Sequence, residues 1–206
     1  AAGEVHYHGQ PVFLVVATSH RAARAAARKA RIEIDPRDAI LSIDDALKAG
    51  SYFEGGPLTW ARGDVDAALS EAPRVIEGEI EIGGQEHFYL EGQAALALPG
   101  EAGEVMVQSS TQHPTEIQHK VADALGVRMS AVRVETRRMG GAFGGKESQG
   151  NALAVACAVA AQKTGKPCKM RYDRDDDMII TGKRHDFRIR YRAGVNSGGR
   201  LLAVDF

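Results

Sequence analysis

Residues 139–147 read MGGAFGGKE, four glycines and one phenylalanine ending in an adjacent lysine and glutamate. Glycine admits positive φ and lacks a Cβ, so main-chain N–H groups of such a loop can approach an anion, an oxo group or a phosphate without steric conflict. Gly140, Gly145 and Lys146 also satisfy the first seven positions of a phosphate-binding P-loop, GxxxxGK, and the flanking order of strand, loop and helix suits that motif. The eighth position departs from it. A P-loop places a Ser or Thr hydroxyl there to ligate magnesium, whereas Glu147 sets a carboxylate beside the phosphates. A nucleotide-binding module is weakened by that residue and stays open.

Other clusters are less specific. Gln85, Glu86 and His87 follow a glycine pair and precede two aromatics; the glutamine amide both donates and accepts and suits a cavity, while the histidine reads as a satisfied structural residue. Residues 109–113, SSTQH, lie where a strand meets a helix N-terminus, a position that suits anions, although Ser110 and Thr111 taken alone favour helix capping. The acidic run DRDDDM, residues 173–178, lacks EF-hand spacing and reads as a solvated turn. LLAVD, residues 201–205, matches a magnesium-coordinating strand end but is equally an ordinary strand.

These residues need a scaffold, and 206 residues with 44% hydrophobic content can bury one sizeable core with an appendage. The formal charge of -1 gives no electrostatic case for nucleic acid or a membrane surface. The run HRAARAAARKAR, residues 20–31, reads as a helix with a solvated arginine face. Two cysteines, Cys157 and Cys168, lack metal-site spacing, and Cys157 reads as a small buried apolar residue, a usage that suits a reducing cytoplasm. No apolar run approaches the about 20 residues of a membrane span, and the opening residues show no signal organisation. The chain has no initiator methionine, opens in one strand pattern and stops in another, as expected of a piece of a longer polypeptide.

Strands are expected at residues 11–18, 31–34, 75–82 (half-buried), 94–98, 105–109, 131–134, 168–172, 187–191 and 201–204. Helices are expected after Ser19, after Ser42 up to Gly50, over 64–71, from Pro114 to a stop at Gly126, and over 148–163 before Gly165 and Pro167. Residues 51–63, rich in glycine, proline and aromatics, read as a linker. Interleaved elements without a regular βαβ repeat give an α+β class.

Taken together, GGQEHFYLE (83–91), STQHP (110–114) and RMGGAFGGKE (138–147), with DRDDDMIITGKRH downstream, resemble the molybdenum-cofactor-binding region of the xanthine dehydrogenase and aldehyde oxidase family. The resemblance covers essentially the whole chain and is nearest to the molybdenum subunits of bacterial members. It implies a fold that ends an α/β-hammerhead-like unit over residues 1–52, crosses a linker and short helix over 53–74, and begins a molybdopterin-binding domain over 75–206. It implies a molybdenum–molybdopterin cofactor, with Gln85 hydrogen-bonding an oxygen ligand of the metal and Phe143, Gly144 and Gly145 packing against its ligand sphere. Gln85 and Phe143 would thus lie next to the metal without ligating it. Molybdenum is held in the family by the pterin dithiolene, so neutral donors and close backbone are the residue types expected around it.

Glu147 matches the pocket glutamate of purine-hydroxylating members, which implies oxidation of hypoxanthine to xanthine to urate; an aldehyde or another heterocycle is the alternative within the family. Electrons would pass through 2Fe-2S centres and FAD to NAD, in iron–sulfur and flavin domains or subunits, within a dimer or heterotetramer in the cytoplasm. The general base would lie downstream, so the chain alone should be inactive. Ala142 stands where many members carry a third glycine, which a negative φ accommodates. An assembly domain whose glycines merely permit tight packing remains as a third reading.

Overall fold

The computed structural model describes residues 3–53 and 55–206; Ala1, Ala2 and Glu54, which fall in the expected opening and linker, lie outside the described residues. In chain order the elements are α1 (His20–Ala27), α2 (Ile43–Ala49), α3 (Val65–Glu71), β1 (Arg74–Ile82), β2 (Ala94–Pro99), β3 (Val105–Ser109), α4 (Pro114–Leu125), β4 (Val132–Glu135), α5 (Gly150–Thr164), β5 (Cys168–Arg171), α6 (Arg174–Ile180), β6 (Phe187–Val195) and β7 (Leu201–Asp205). Helix and sheet are interleaved, in keeping with α+β. They fall into two compact units, one made of the chain up to Ile32 with Glu86–Arg184, the other of Glu33–Gln85 with His185–Phe206.

The first unit is built on a four-stranded sheet of order β4-β3-β2-β5. β2 runs antiparallel to β3 and β5, while β3 and β4 are parallel, so the chain must cross over between them; α4 makes that crossing. Pro114 opens α4, where a missing N–H is harmless, and Gly126 closes it at φ 66. Its buried Ile117, Val121 and Ala122 meet the alanine-rich face of α5 and the alternating Ala95, Ala97, Val105 and Val107 of the sheet. Small residues in α5 bring its axis close to the sheet, and Cys157 is buried in that contact as expected. The glycine loop leaves the end of β4 and enters α5.

In the second unit β1, β6 and β7 form an antiparallel sheet of order β1-β6-β7. Glu77, Glu79 and Glu81 face Arg192, Arg190 and Arg188 in register, an arrangement of opposite charges that fixes pairing. Arg188 also reaches Asp44 of α2 at 2.6 Å, and Arg192 reaches Asp66 of α3 at 3.0 Å. Gly194 lets α3 approach β6, since a Cβ there would sit 2.8 Å from that of Ala72. β1 is more exposed than the half-buried strand expected, only Gly78 being partly covered.

Three expectations fail. Residues 11–18 and 31–34 form no strand, because among the described residues nothing pairs with their backbone. The acidic run 173–178 is no solvated turn but the start of α6: Asp173 caps it by accepting from Asp176 N at 2.9 Å, and the acids fill the first turn, where the helix dipole favours them. Arg24 of α1, on a helix without buried residues, pairs with Asp173 and Asp176 at 2.9 and 2.7 Å.

Candidate functional site at the glycine loop

The loop lies on the segment that follows Glu86. A Cβ at Gly140 would come within 2.7 Å of Glu91 Cβ, and one at Gly145 within 2.7 Å of both His87 Cγ and Tyr89 Cε1. Close packing against the chain itself therefore requires these two glycines. Gly141 and Gly144 are required by conformation, at φ 91 and 88, and between them Phe143 takes the left-handed region at φ 55. A phenylalanine held there is strained and persists only where its surroundings fix it. Its ring is 74% exposed, and Ala142 accommodates its methyl, buried, without positive φ.

Lys146 overturns the P-loop reading. It is fully buried, with Nζ donating to Glu91 Oε2 at 2.9 Å and Ser110 Oγ at 2.7 Å, 4.6 Å above the Tyr89 ring. A phosphate-binding lysine must face the ligand, and this one faces the core. Glu91 Oε2 also accepts from Ser110 Oγ at 2.7 Å and Gly140 N at 3.1 Å, so one carboxylate ties both ends of the loop. Burial pushes the Glu91 carboxyl up, but bonds from Ser110, Lys146 and Gly140 outweigh it and hold its pKa below the ordinary value. Ser110 and Thr111 are accordingly not helix caps; His113 occupies the N-cap of α4, its side chain pairing with Glu116 at 3.0 Å rather than capping a backbone N–H. Thr111 instead donates to Lys146 O at 3.1 Å.

A second buried group lies beneath Gly145. Asp177 on α6, 1% exposed, accepts from Tyr89 Oη at 2.6 Å and from Gln93 N at 2.8 Å. Gln93 Nε2 donates to Tyr89 Oη and to Gly145 O, each at 3.0 Å, while its Oε1 has no partner among the described residues. Burial and the bond to Asp177 push the Tyr89 phenol up to about 12, so it remains a donor. His87 stacks on Tyr89 at 6.5 Å, in keeping with its structural reading, and Glu86 pairs with Lys183 at 2.7 Å.

Phe143, Gly144, Gly145 and Glu147 therefore share one loop of the first unit, with Phe143 and Glu147 exposed. Gln85 is exposed and belongs to the second unit, after β1. The backbone is less open than the glycines suggest: Gly140 N, Gly144 N, Gly145 N and Lys146 N all donate within the chain. Among the described residues the N–H groups of Gly141, Ala142, Phe143 and Glu147 donate to none. Sequence reasoning missed Glu91, Gln93, Gln112 and Asp177; Gln93 carried a faint signal as the one polar side chain entering an apolar strand, and Gln112 lay unremarked in SSTQH.

Among the described residues no group of three or more His, Cys, Asp or Glu side chains is placed to hold a metal ion, and no helix is long and apolar enough to cross a membrane. Residues 47–206 match the family described as the molybdopterin cofactor-binding domain. The chain is 45% identical over 200 residues to a xanthine dehydrogenase of Oryza sativa subsp. japonica, covering 96% of this chain and 15% of that one. It is 41% identical over 206 residues to a xanthine dehydrogenase of Drosophila subobscura, covering 100% of this chain and again 15% of the relative. Among solved structures, the aldehyde oxidoreductase from Desulfovibrio gigas superposes with a TM-score of 0.76 at 27% identity, over 91% of this chain and 21% of that one. The family match takes in the glycine loop, both units' sheets and the acid that overturned the P-loop spelling, and on these likenesses the chain belongs to the molybdopterin cofactor-binding domain family.

Proposed function

We propose that this chain is the part of a molybdenum hydroxylase that lines the cofactor, in a larger enzyme oxidising a purine, hypoxanthine to xanthine to urate. The observation that carries the reading is the strained, exposed Phe143 on a loop anchored from within by Glu91 and Asp177, with Glu147 exposed beside it. The residues fit the cofactor. A group that brings its own metal ligands needs close backbone and neutral donors, and the loop supplies Gly144 without a Cβ and unpartnered N–H groups at Gly141, Ala142 and Phe143. When bound, the molybdenum–molybdopterin cofactor supplies a two-electron oxidation that puts oxygen from water on a substrate carbon.

The chain's own residues bind and orient. Gln85 would donate its amide to an oxygen ligand of the metal, and Phe143 would offer an apolar edge against the ligand sphere. Gly144 would let the backbone approach it, and Gly145 would hold that backbone by packing on His87 and Tyr89. Glu147 accepts a hydrogen bond from a ring N–H of the purine, which discriminates against substrates that leave it unpaired by about 1–3 kcal/mol. Residues 1–52 would end a hammerhead-like unit. Electrons would leave through 2Fe-2S and FAD to NAD in other domains or subunits of a dimer or heterotetramer, in the cytoplasm. The general base would come from beyond this chain, so the chain alone is expected to be inactive.

Purification of the full-length protein tests this. Molybdenum and pterin are expected together with xanthine turnover, and an active preparation lacking both would refute the reading. Glu147→Ala, at an exposed position, is expected to lower kcat/KM for xanthine by about 10- to 100-fold with aldehyde oxidation unaffected. Undiminished purine turnover in that variant would refute the role of Glu147 in recognising the purine, and turnover of an aldehyde or another heterocycle in place of xanthine by the unaltered protein would favour that substrate.

A further inference from the structure

Two glutamines grip the Gly145–Lys146 peptide group of the loop in opposite senses, one at its N–H and the other at its carbonyl. Gln112 Oε1 accepts from Gly144 N and from Lys146 N, each at 3.1 Å, while its own backbone N donates to Lys146 O at 2.9 Å. Gln93 Nε2 donates to Gly145 O at 3.0 Å, and Gln93 is itself pinned by Asp177 Oδ2 at its N–H and by Tyr172 N at its carbonyl, at 2.8 and 3.1 Å. The chemistry fixes which amide atom is which: two converging N–H groups need an oxygen, and a facing carbonyl needs a nitrogen. The Gln112 side chain thus acts only as an acceptor toward the loop, and that of Gln93 only as a donor. Between them the backbone passes through φ 55 at Phe143 and φ 88 at Gly144, a stretch that a flexible loop would not hold.

We propose that Gln112 and Gln93 are positioning residues that fix the Phe143–Gly144 and Gly145–Lys146 peptide planes, and with them the directions in which Phe143 and Glu147 face cofactor and substrate. The proposal rests on the functional reading above for what the loop faces, but not for the grip itself. Its signature is an opposite response to one isosteric change. A carboxylate at position 112 still accepts both N–H groups, whereas a carboxylate at position 93 turns an oxygen toward the Gly145 carbonyl. Gln112 is exposed, so a role in packing alone would make Gln112→Glu and Gln112→Met equally harmless.

The test uses the full-length protein with three readouts: amide hydrogen exchange of the peptide spanning 140–147, the electron paramagnetic resonance of reduced molybdenum, and kcat separately from KM. Gln112→Met is expected to speed exchange in that peptide about tenfold, the loss of about 1.4 kcal/mol of hydrogen bonding, to alter the molybdenum signal and to lower kcat more than it raises KM. Gln112→Glu is expected to keep all three near those of the unaltered protein. Gln93→Glu should resemble Gln112→Met in the loop; should it fail to fold, the neutral Gln93→Met replaces it with the same expectation. Exchange in Gln112→Met equal to that of the unaltered protein, or Gln112→Glu behaving like Gln112→Met, overturns the Gln112 grip, and unaltered exchange in the folded Gln93 variant overturns that of Gln93. If the unaltered protein holds neither molybdenum nor pterin, the functional reading fails while the exchange readout still decides the grip.

Discussion

Glu91→Ala is expected to damage the loop far more than Lys146→Met, and combining the two is expected to recover part of the loss. The asymmetry follows from exposure. Lys146 is fully buried, so removing its carboxylate partner leaves Nζ with a serine hydroxyl and the face of Tyr89, and an uncompensated buried charge costs about 3–5 kcal/mol. Glu91 has a side chain 43% exposed and keeps Ser110 and Gly140 as donors, so losing Lys146 costs it less, about 1–2 kcal/mol. Removing both takes away the stranded charge, and the double variant should melt above Glu91→Ala. Thermal melting and proteolytic cutting within 139–147 of the full-length protein measure this; Lys146→Met proving the worse single change would refute it. A pH dependence follows with a definite sign. Because Glu91 is held below its ordinary pKa, its contribution is complete above the unfolded value of 4.5 and is lost as pH falls through the lower folded value. Glu91→Ala should remove that part of the acid sensitivity.

What the residues disclosed and what they hid divide along a physical line. α4 was legible to the residue, Pro114 to Leu125, because its start, its stop and its buried face are all written locally. Residues 11–18 look like a strand and are none, since strand formation is a property of a pair and the pattern names only one member. α6 was hidden by its charge: three acids in a first turn read as solvation, and nothing nearby announces that Asp177 turns inward to Tyr89 and Gln93. The loop was legible as a place where backbone is approached closely, but not what approaches it. Two of its glycines yield to His87, Tyr89 and Glu91, and the spacing GxxxxGK says nothing of which way its lysine points. The family, by contrast, could be read from three motifs in register, because their order along the chain is itself sequence information.

The second large effect is expected at that hidden acid: Asp177→Ala should cost about 3–5 kcal/mol and Asp177→Asn only about 1–2. Alanine strands two buried donors at once, Gln93 N and the Tyr89 hydroxyl, each of which bonds a different oxygen of the carboxylate. Asparagine still satisfies Gln93 N and can make a reversed bond to the Tyr89 hydroxyl. Its oxygen replaces Oδ2 before Gln93 N, and its amide can face Tyr89 Oη, which accepts as well as donates and already accepts from Gln93 Nε2. The residual loss is the phenol proton, which then lacks an acceptor. Gly92 bears on the size of the site, for a Cβ there would stand 3.0 Å from Oδ2, so the carboxylate sits in space that a glycine leaves open. The consequence for function runs through Gln93: once its backbone is released, its grip on Gly145 O loosens, and cofactor content per polypeptide should fall in the order native, Asn, Ala. Burial is the largest cause of the raised Tyr89 phenol pKa and persists without the Asp177 charge, so the Asn variant should keep the phenol protonated and show no new pH dependence near neutral pH. Equal melting and equal molybdenum content for Asp177→Ala and Asp177→Asn would mean that the two hydrogen bonds, rather than holding the loop, merely accompany it.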